Sequence, residues 1–152
     1  MQAKPVPYAQ GTAVLVEKSQ VEIQSTLRKH GASQLLVGQD DARGLSMVGF
    51  TMASRQYRIV FRRREPPKQS GYRSRQSKQT SAEQLEREQW RALLLVLKAK
   101  LEIVARGDAT VEQEFLAYLL LPEGQTVGEW LAPQIEQAYE SGRMPPLLPS
   151  GG

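Results

Sequence analysis

Apolar positions along this 152-residue chain follow two periods, one typical of strands and one typical of helices. Alternation is clearest after Arg55, where Tyr57, Ile59 and Phe61 alternate with neighbours that are polar or charged except for Val60. Such alternation predicts a strand with one face in the core and the other presenting guanidinium groups. Two further strands are predicted from Gln34 to Val37 and from Leu45 to Met52, with turn-like residues between them. Together the three segments predict an antiparallel meander.

Ahead of the meander, the pattern favours a strand followed by a helix. Thr12 to Val16 (TAVLV) is short and β-branched, which is typical of a strand. Ser19 stands three residues before Glu22, the spacing of a capping box that begins a helix. This helix is predicted to end at Gly31.

Behind the meander, three- and four-residue spacing predicts helices. Thr80 and Glu83 form a second capping-box candidate, and the helix they begin is predicted to run to about Ala105. Its apolar positions are Trp90, Leu93, Leu94, Leu97, Leu101 and Val104. Thr110 and Thr126 are predicted to begin two shorter helices, which Pro122 and Gly142 end; Pro133 is predicted to kink or break the last one.

These elements predict an α+β fold, in which a small antiparallel sheet (strand-helix-three-stranded meander) packs against a C-terminal group of about three helices. We expect residues 1–62 to form the N-terminal half, 63–79 a mobile basic linker, 80–143 the helical half and 144–152 a Pro-rich tail. The length and the 40% hydrophobic content suit one domain overall. No apolar run reaches the length of a signal peptide or a membrane span, so we expect a soluble, cytoplasmic protein with no membrane partner.

Charge is concentrated in one part of the chain. Residues 55–78 hold nine Lys or Arg and one acid, Glu65, about +8 in a chain whose net charge is +4. The remainder is therefore acidic. Clustered positive charge attracts polyanions, whereas the same charge spread evenly mainly aids solubility.

The chain lacks the residues that several classes of enzyme require. Without cysteine there is no thiolate zinc site and no Cys nucleophile. The single histidine, His30, lies at the predicted end of a helix, where a cation interacts well with the helix dipole, and no G-x-S-x-G or phosphate-loop motif occurs. Asp40 and Asp41 are predicted to form a turn rather than a metal site, because the adjacent strands supply no further carboxylate. We expect no catalytic residue, metal or cofactor.

Three segments of the chain carry a resemblance to a known family: YAQGTAVLVEKSQVEI, EQWRALLLVLKAKLE and EFLAYLLLPEGQTVGEWLAPQIEQAYESGRMPPLLP. They are similar to an uncharacterised small protein family of bacteriophages, prophages and related mobile elements. The likeness covers both halves and skips the basic linker. It implies a bacterial host cell and a partner such as nucleic acid or a host protein, and it implies no catalytic residues.

The order of elements is also similar to that of double-stranded-RNA-binding domains, which place a three-stranded meander between two helices. Those domains dock on phosphates through a lysine cluster that opens the final helix. Here the predicted opening, Ser81 to Glu86, is acidic. The likeness is one of topology and carries no function.

Two functional hypotheses follow. In the first, a non-enzymatic phage-type accessory protein contacts nucleic acid phosphates through the basic segment, because Lys and Arg neutralise phosphates and an aromatic ring can stack on a base. The residues predicted to do so are Arg55, Arg58, Arg62, Arg63, Arg64, Lys68, Tyr72, Arg73, Arg75 and Lys78. In the second, the apolar helical half, with Trp90, Trp130, Tyr118 and Tyr139, mediates protein–protein interaction or oligomerisation, and the basic segment is a solvated linker.

Overall fold

A three-stranded antiparallel sheet and four α-helices make up residues 8–66 and 75–144, the part of the chain that the computed structural model describes. In chain order the elements are α1 (Tyr8–Lys29), β1 (Gln34–Asp40), β2 (Leu45–Met52), β3 (Arg55–Arg62), α2 (Arg75–Ala105), α3 (Val111–Glu114), a 3-10 turn (Leu116–Tyr118) and α4 (Val127–Ser141). The predicted α+β class is confirmed.

The sheet has the order β1-β2-β3 with an unbroken register, as the meander prediction requires. Ala53 and Ser54 join β2 to β3 in a two-residue turn with φ of 50° and 62°. Positive φ at both central residues defines the type I′ hairpin turn, whose twist matches that of the strands. Even-numbered β2 residues such as Val48 and Phe50 are buried, so one face of the sheet is in the core.

The predicted first strand is wrong, because Thr12 to Val16 lies inside α1. Among residues 15–29 of this helix, whose burial the structure describes, Val16, Ile23 and Leu27 are buried. Their spacings of seven and four residues place them on one helical face, so packing overrides the β-propensity of TAVLV. The Ser19–Glu22 capping box is wrong for the same reason: Glu22 lies in mid-helix and pairs with Lys98 of α2, Nζ to Oε1 2.5 Å. The helix ends at Lys29, and Gly31 follows with φ of +98°, as predicted.

The second helix begins earlier than predicted. It opens at Arg75, five residues before Thr80, so the Thr80–Glu83 capping box is wrong and residues 75–79 of the predicted linker are helical. Residues 75–80 contain no Pro or Gly, and Arg, Gln and Lys are good helix formers, so nothing in this stretch ends the helix. Residues 67–74 lie outside the described residues, as does the tail from residue 145.

The core joins both halves of the chain. Trp90, Leu94, Leu97 and Leu101 of α2 are buried against α1 and against the inner face of the sheet. Aromatic contacts tie this core together: Phe61 meets Trp90 edge-on at 5.1 Å between ring centroids, and Phe50, Tyr57 and Phe115 form a second cluster.

The C-terminal segments are attached to the sheet edge. Thr110 and Thr126 both form complete capping boxes, as predicted. Between them, however, the predicted single helix is replaced by α3, the 3-10 turn and an extended stretch, in which Leu119 bridges Tyr57 and the N–H of Leu120 donates to the carbonyl of Gln56 (2.8 Å). The helix α4 continues through Pro133 without a break and ends at the left-handed Gly142.

Candidate functional site

The end of β3 and the β1–β2 turn together form a groove lined mainly by arginine. Because the register sets Arg62 opposite Leu45, the residues after β3 lie beside the turn, and the N–H of Arg63 donates to the carbonyl of Gly44 (2.9 Å). The groove has a volume of about 750 Å³. Its lining, which we call the arginine groove, is Asp41, Ala42, Arg43, Gly44, Arg62, Arg63, Arg64 and Glu65.

The backbone of the arginine groove is fixed by one side chain of α2. Gln89 donates through Nε2 to the carbonyl of Arg62 (2.8 Å) and accepts through Oε1 from the N–H of Arg64 (3.1 Å). A side-chain amide can serve both groups because it carries a donor and an acceptor. The segment after β3 is therefore held against α2 before the chain enters residues 67–74.

Two guanidinium groups of the groove are already paired. Arg63 contacts Asp41 at 2.8 Å and also donates to the carbonyl of Asp40 (3.2 Å). Arg43 lies 3.7 Å from the Asp40 carboxylate. The side chains of Arg62 and Arg64 are exposed and make no ion pair with any described residue.

The groove carries a modest formal charge. Its four arginines face the two lining acids Asp41 and Glu65, which leaves +2. Salt screens the field of these exposed charges over about a Debye length, roughly 8 Å at physiological ionic strength. A strong polyanion attraction would need the further cations of the 67–78 stretch.

The predicted site residues do not form one continuous surface. Arg58 lies on the outer face of the sheet in mid-strand, where it donates to the carbonyl of Gly124 (3.0 Å) and pairs with Glu129 of α4 (3.2 Å). Arg55 is exposed at the opposite end of β3 from Arg62, roughly 24 Å away at the usual rise of a strand. The groove therefore brings together Arg62, Arg63 and Arg64, and it leaves Arg55 and Arg58 apart.

The remaining predicted contacts fall in or beside the part that the structure leaves undescribed. Lys68, Tyr72 and Arg73 lie outside the described residues. Arg75 and Lys78 belong to the first two turns of α2. The helix thus opens with two cations in its sequence, rather than with the acidic Ser81 to Glu86 stretch expected there.

Sequence reasoning missed Arg43 and Gln89. Arg43 has the pattern of an ordinary turn residue, yet the meander itself places that turn beside the end of β3. Pairing the predicted strands in register would have placed Arg43 close to the end of β3. Gln89 had no such signal, because its two bonds depend on how α2 crosses the sheet.

A second exposed surface lies on α4. Trp130, Ile135 and Tyr139 are 41%, 52% and 87% exposed, and no residue of α4 is buried. The helix is attached mainly at its beginning, where the N–H of Val127 donates to the carbonyl of Leu119 (2.9 Å) and Glu129 pairs with Arg58. These exposed apolar residues are therefore available to a partner.

The two adjacent acids of the β1–β2 turn are both in contact with arginines. Asp40 accepts from the N–H of Arg43 (3.1 Å) in the turn, and Asp41 pairs with Arg63. Within residues 8–66 and 75–144, no three His, Asp or Glu side chains come together as a metal site. In the same part of the chain, no helix is long and apolar enough to cross a membrane.

The chain is thus a small α+β protein with a three-stranded antiparallel sheet and an arginine-lined groove at one end of it. Comparisons with protein-family models, with curated proteins and with solved structures gave no match. The likeness to a phage protein family and the order shared with double-stranded-RNA-binding domains therefore stay predictions.

Proposed function

We propose that this protein is a non-enzymatic, phage-type accessory protein that contacts nucleic acid phosphates through its basic segment, residues 55–78, in the cytoplasm of a bacterial host cell. The observation that carries the proposal is the pair Arg62 and Arg64. Both are exposed and free of ion pairs among the described residues, at a groove from which the chain runs on toward Lys68 and Arg73. Guanidinium groups in this state can bind phosphate oxygens without first giving up an acid.

The arginines should contribute unequally. Arg58 and Arg63 each have an acidic partner, so a phosphate must displace or share that carboxylate. Arg62 and Arg64 have no such competitor among the described residues. Phosphate contacts of this kind position a protein on nucleic acid without reading sequence, so we expect little base specificity.

The test is a salt titration of binding to labelled single-stranded and duplex oligonucleotides, followed by fluorescence anisotropy. Arg62→Gln/Arg64→Gln should weaken binding and lower the slope of log K against log salt concentration by about 1 for each phosphate that the variant no longer neutralises. Arg62→Lys/Arg64→Lys should restore most of the slope, because the charge is kept.

The matched control is Lys18→Gln/Arg91→Gln, which removes two exposed cations from α1 and α2, away from the groove. Net charge falls equally in both variants. If the control weakens binding as much as the groove variant, or if wild type fails to bind at low salt, the nucleic-acid proposal is wrong.

A second candidate function is protein–protein interaction through α4, supported by the exposure of Trp130, Ile135 and Tyr139. Exposed apolar and aromatic residues favour an interface, and Ile135 and Tyr139, four residues apart, share one face of α4. Binding that hardly changes with salt and is abolished in Trp130→Ala/Tyr139→Ala would assign the function to this surface instead.

A further inference from the structure

The backbone that carries the three arginines at the end of β3 is hydrogen-bonded on both of its edges. On one edge, the N–H of Arg63 donates to the carbonyl of Gly44 (2.9 Å), which continues the β2–β3 ladder one pair beyond the strands. On the other edge, Gln89 donates to the carbonyl of Arg62 (2.8 Å) and accepts from the N–H of Arg64 (3.1 Å). Backbone groups of successive residues point to opposite edges in an extended strand, so both sets of bonds require the same conformation.

This extended conformation sorts the three arginines onto two faces. Side chains two residues apart in a strand lie on the same face, so Arg62 and Arg64 share one face and Arg63 lies on the other. Arg63 pairs with Asp41 (2.8 Å). Arg62 and Arg64 are exposed and make no ion pair with any described residue. The two unpaired arginines therefore project from the same face of a fixed backbone.

The spacing of these two arginines matches the repeat of a nucleic acid strand. Their Cα atoms are about 6.6 Å apart at the usual rise of a strand. Successive phosphorus atoms of one nucleic acid strand are separated by as many backbone bonds as Cα atoms two residues apart, so the two extended chains have similar repeats. Two arginines on one face can therefore meet neighbouring phosphates without splaying apart.

We propose that Arg62 and Arg64 bind two successive phosphates of one nucleic acid strand, and that Gln89 is the positioning residue that keeps their backbone extended. This inference rests on the proposed function, since it concerns the same arginines and the same class of partner. Each guanidinium binds one phosphate through charge-assisted hydrogen bonds. The contact runs along one strand, so single-stranded nucleic acid is sufficient for it.

Two single-stranded oligothymidylates of equal length and equal charge test the spacing. In the block probe the charged phosphates are consecutive and the other linkages are neutral methylphosphonates, whereas in the alternating probe the two linkages alternate. On the alternating probe one of the two arginines faces a neutral linkage. Wild type should therefore bind the block probe about fivefold more tightly at about 0.1 M salt, the effect of one phosphate contact that releases about 0.7 counterion.

Gln89→Met tests the positioning role, because it removes both hydrogen bonds and keeps the formal charge and the approximate length of the side chain. The preference for the block probe should be lost, while affinity for the alternating probe should stay the same. A thermal unfolding curve of the variant accompanies the measurement. Equal weakening of binding to both probes would show a merely structural role and would overturn the assignment of Gln89.

The spacing can also be rebuilt on the other side of Arg62. Val60 lies two residues before Arg62 on the same face of β3 and is 42% exposed. Arg64→Gln should lose the preference for the block probe, and Arg64→Gln/Val60→Arg should regain it. The matched control is Arg64→Gln/Leu95→Arg, which has the same net charge but carries the added cation on α2, at a position that is 56% exposed. This control should not regain the preference.

Equal affinity of wild type for the two probes overturns the inference without contradicting nucleic acid binding. Failure to bind either probe at low salt overturns both proposals. A block preference that persists in Gln89→Met, or that returns in the Leu95 control, also overturns the inference, because charge alone would then explain the preference.

Discussion

Tyr57 is buried in the aromatic cluster of the core, yet its hydroxyl has no hydrogen-bond partner among the described residues. Burial raises the pKa of Tyr57 above its usual value of 10.0, with a further contribution from the charge of Glu112 and an opposing one from Arg55. The phenolate is disfavoured because it would lose its hydration in the core. A phenol in this position makes stability depend on pH only in the alkaline range.

The sign of this dependence follows from proton binding. Above about pH 10 the unfolded chain releases the phenol proton while the folded chain keeps it, so the free energy of unfolding falls as pH rises. Below that pH both states hold the proton and the group adds no pH dependence. We expect Tyr57→Phe to remove this part of the alkaline loss, measured by urea unfolding of both proteins between pH 7 and about pH 11. Curves that stay parallel over the whole range would contradict the assignment.

At the scale of elements, the β2–β3 turn has a geometry that its residues do not favour. Ala53 and Ser54 both adopt positive φ, which Asn and Gly adopt far more readily. A side chain with a Cβ in the left-handed region costs about 1 kcal/mol or more per residue. The turn is nevertheless formed, because the strands on either side bury Phe50 and Tyr57 in register.

Replacing the two residues by the preferred pair should therefore stabilise the protein. Ala53→Asn/Ser54→Gly is expected to raise the free energy of unfolding by about 1 kcal/mol, by relieving strain at both positions. Gly44→Ala is the control of opposite sign, since Gly44 has φ of +64° in the other turn and an added Cβ brings strain. Thermal unfolding followed by circular dichroism measures both. A double variant no more stable than wild type would show that the turn is not strained.

At the scale of the molecule, the two halves share one core and should unfold together. Leu97 is fully buried among residues of α1, α2 and the sheet. Leu97→Ala is expected to lower the free energy of unfolding by about 3 kcal/mol, through reduced burial and the cavity left behind. Leu95→Ala, on the same helix but 56% exposed, should change it by less than about 0.5 kcal/mol.

The shared core also predicts a single transition. In a Trp130→Phe background, fluorescence of the buried Trp90 should follow the same denaturant curve as far-UV circular dichroism, before and after the Leu97 change. Separate midpoints for the two signals would show that the sheet and the helices are independent units.

Sequence was a sufficient guide wherever local chemistry and side-chain period agree. Alternation and turn residues predicted the meander, and the Thr110 and Thr126 capping boxes were correct because a cap is satisfied within four residues of chain. The clustering of positive charge was likewise visible, because a count of charges needs no fold.

Contacts between residues far apart in the sequence decided the features that no local pattern predicted. The segment TAVLV is helical because Val16 packs in the core on the same helical face as Ile23 and Leu27. The Ser19 and Thr80 motifs do not cap a helix, because their helices begin at earlier residues. Long-range contacts also divide the basic segment. Asp41 pairs with Arg63, 22 positions away, and Glu129 pairs with Arg58, 71 positions away. Arg62 and Arg64 stay exposed. A linear pattern records which charges are present, but which of them are neutralised depends on the packing that brings remote segments together.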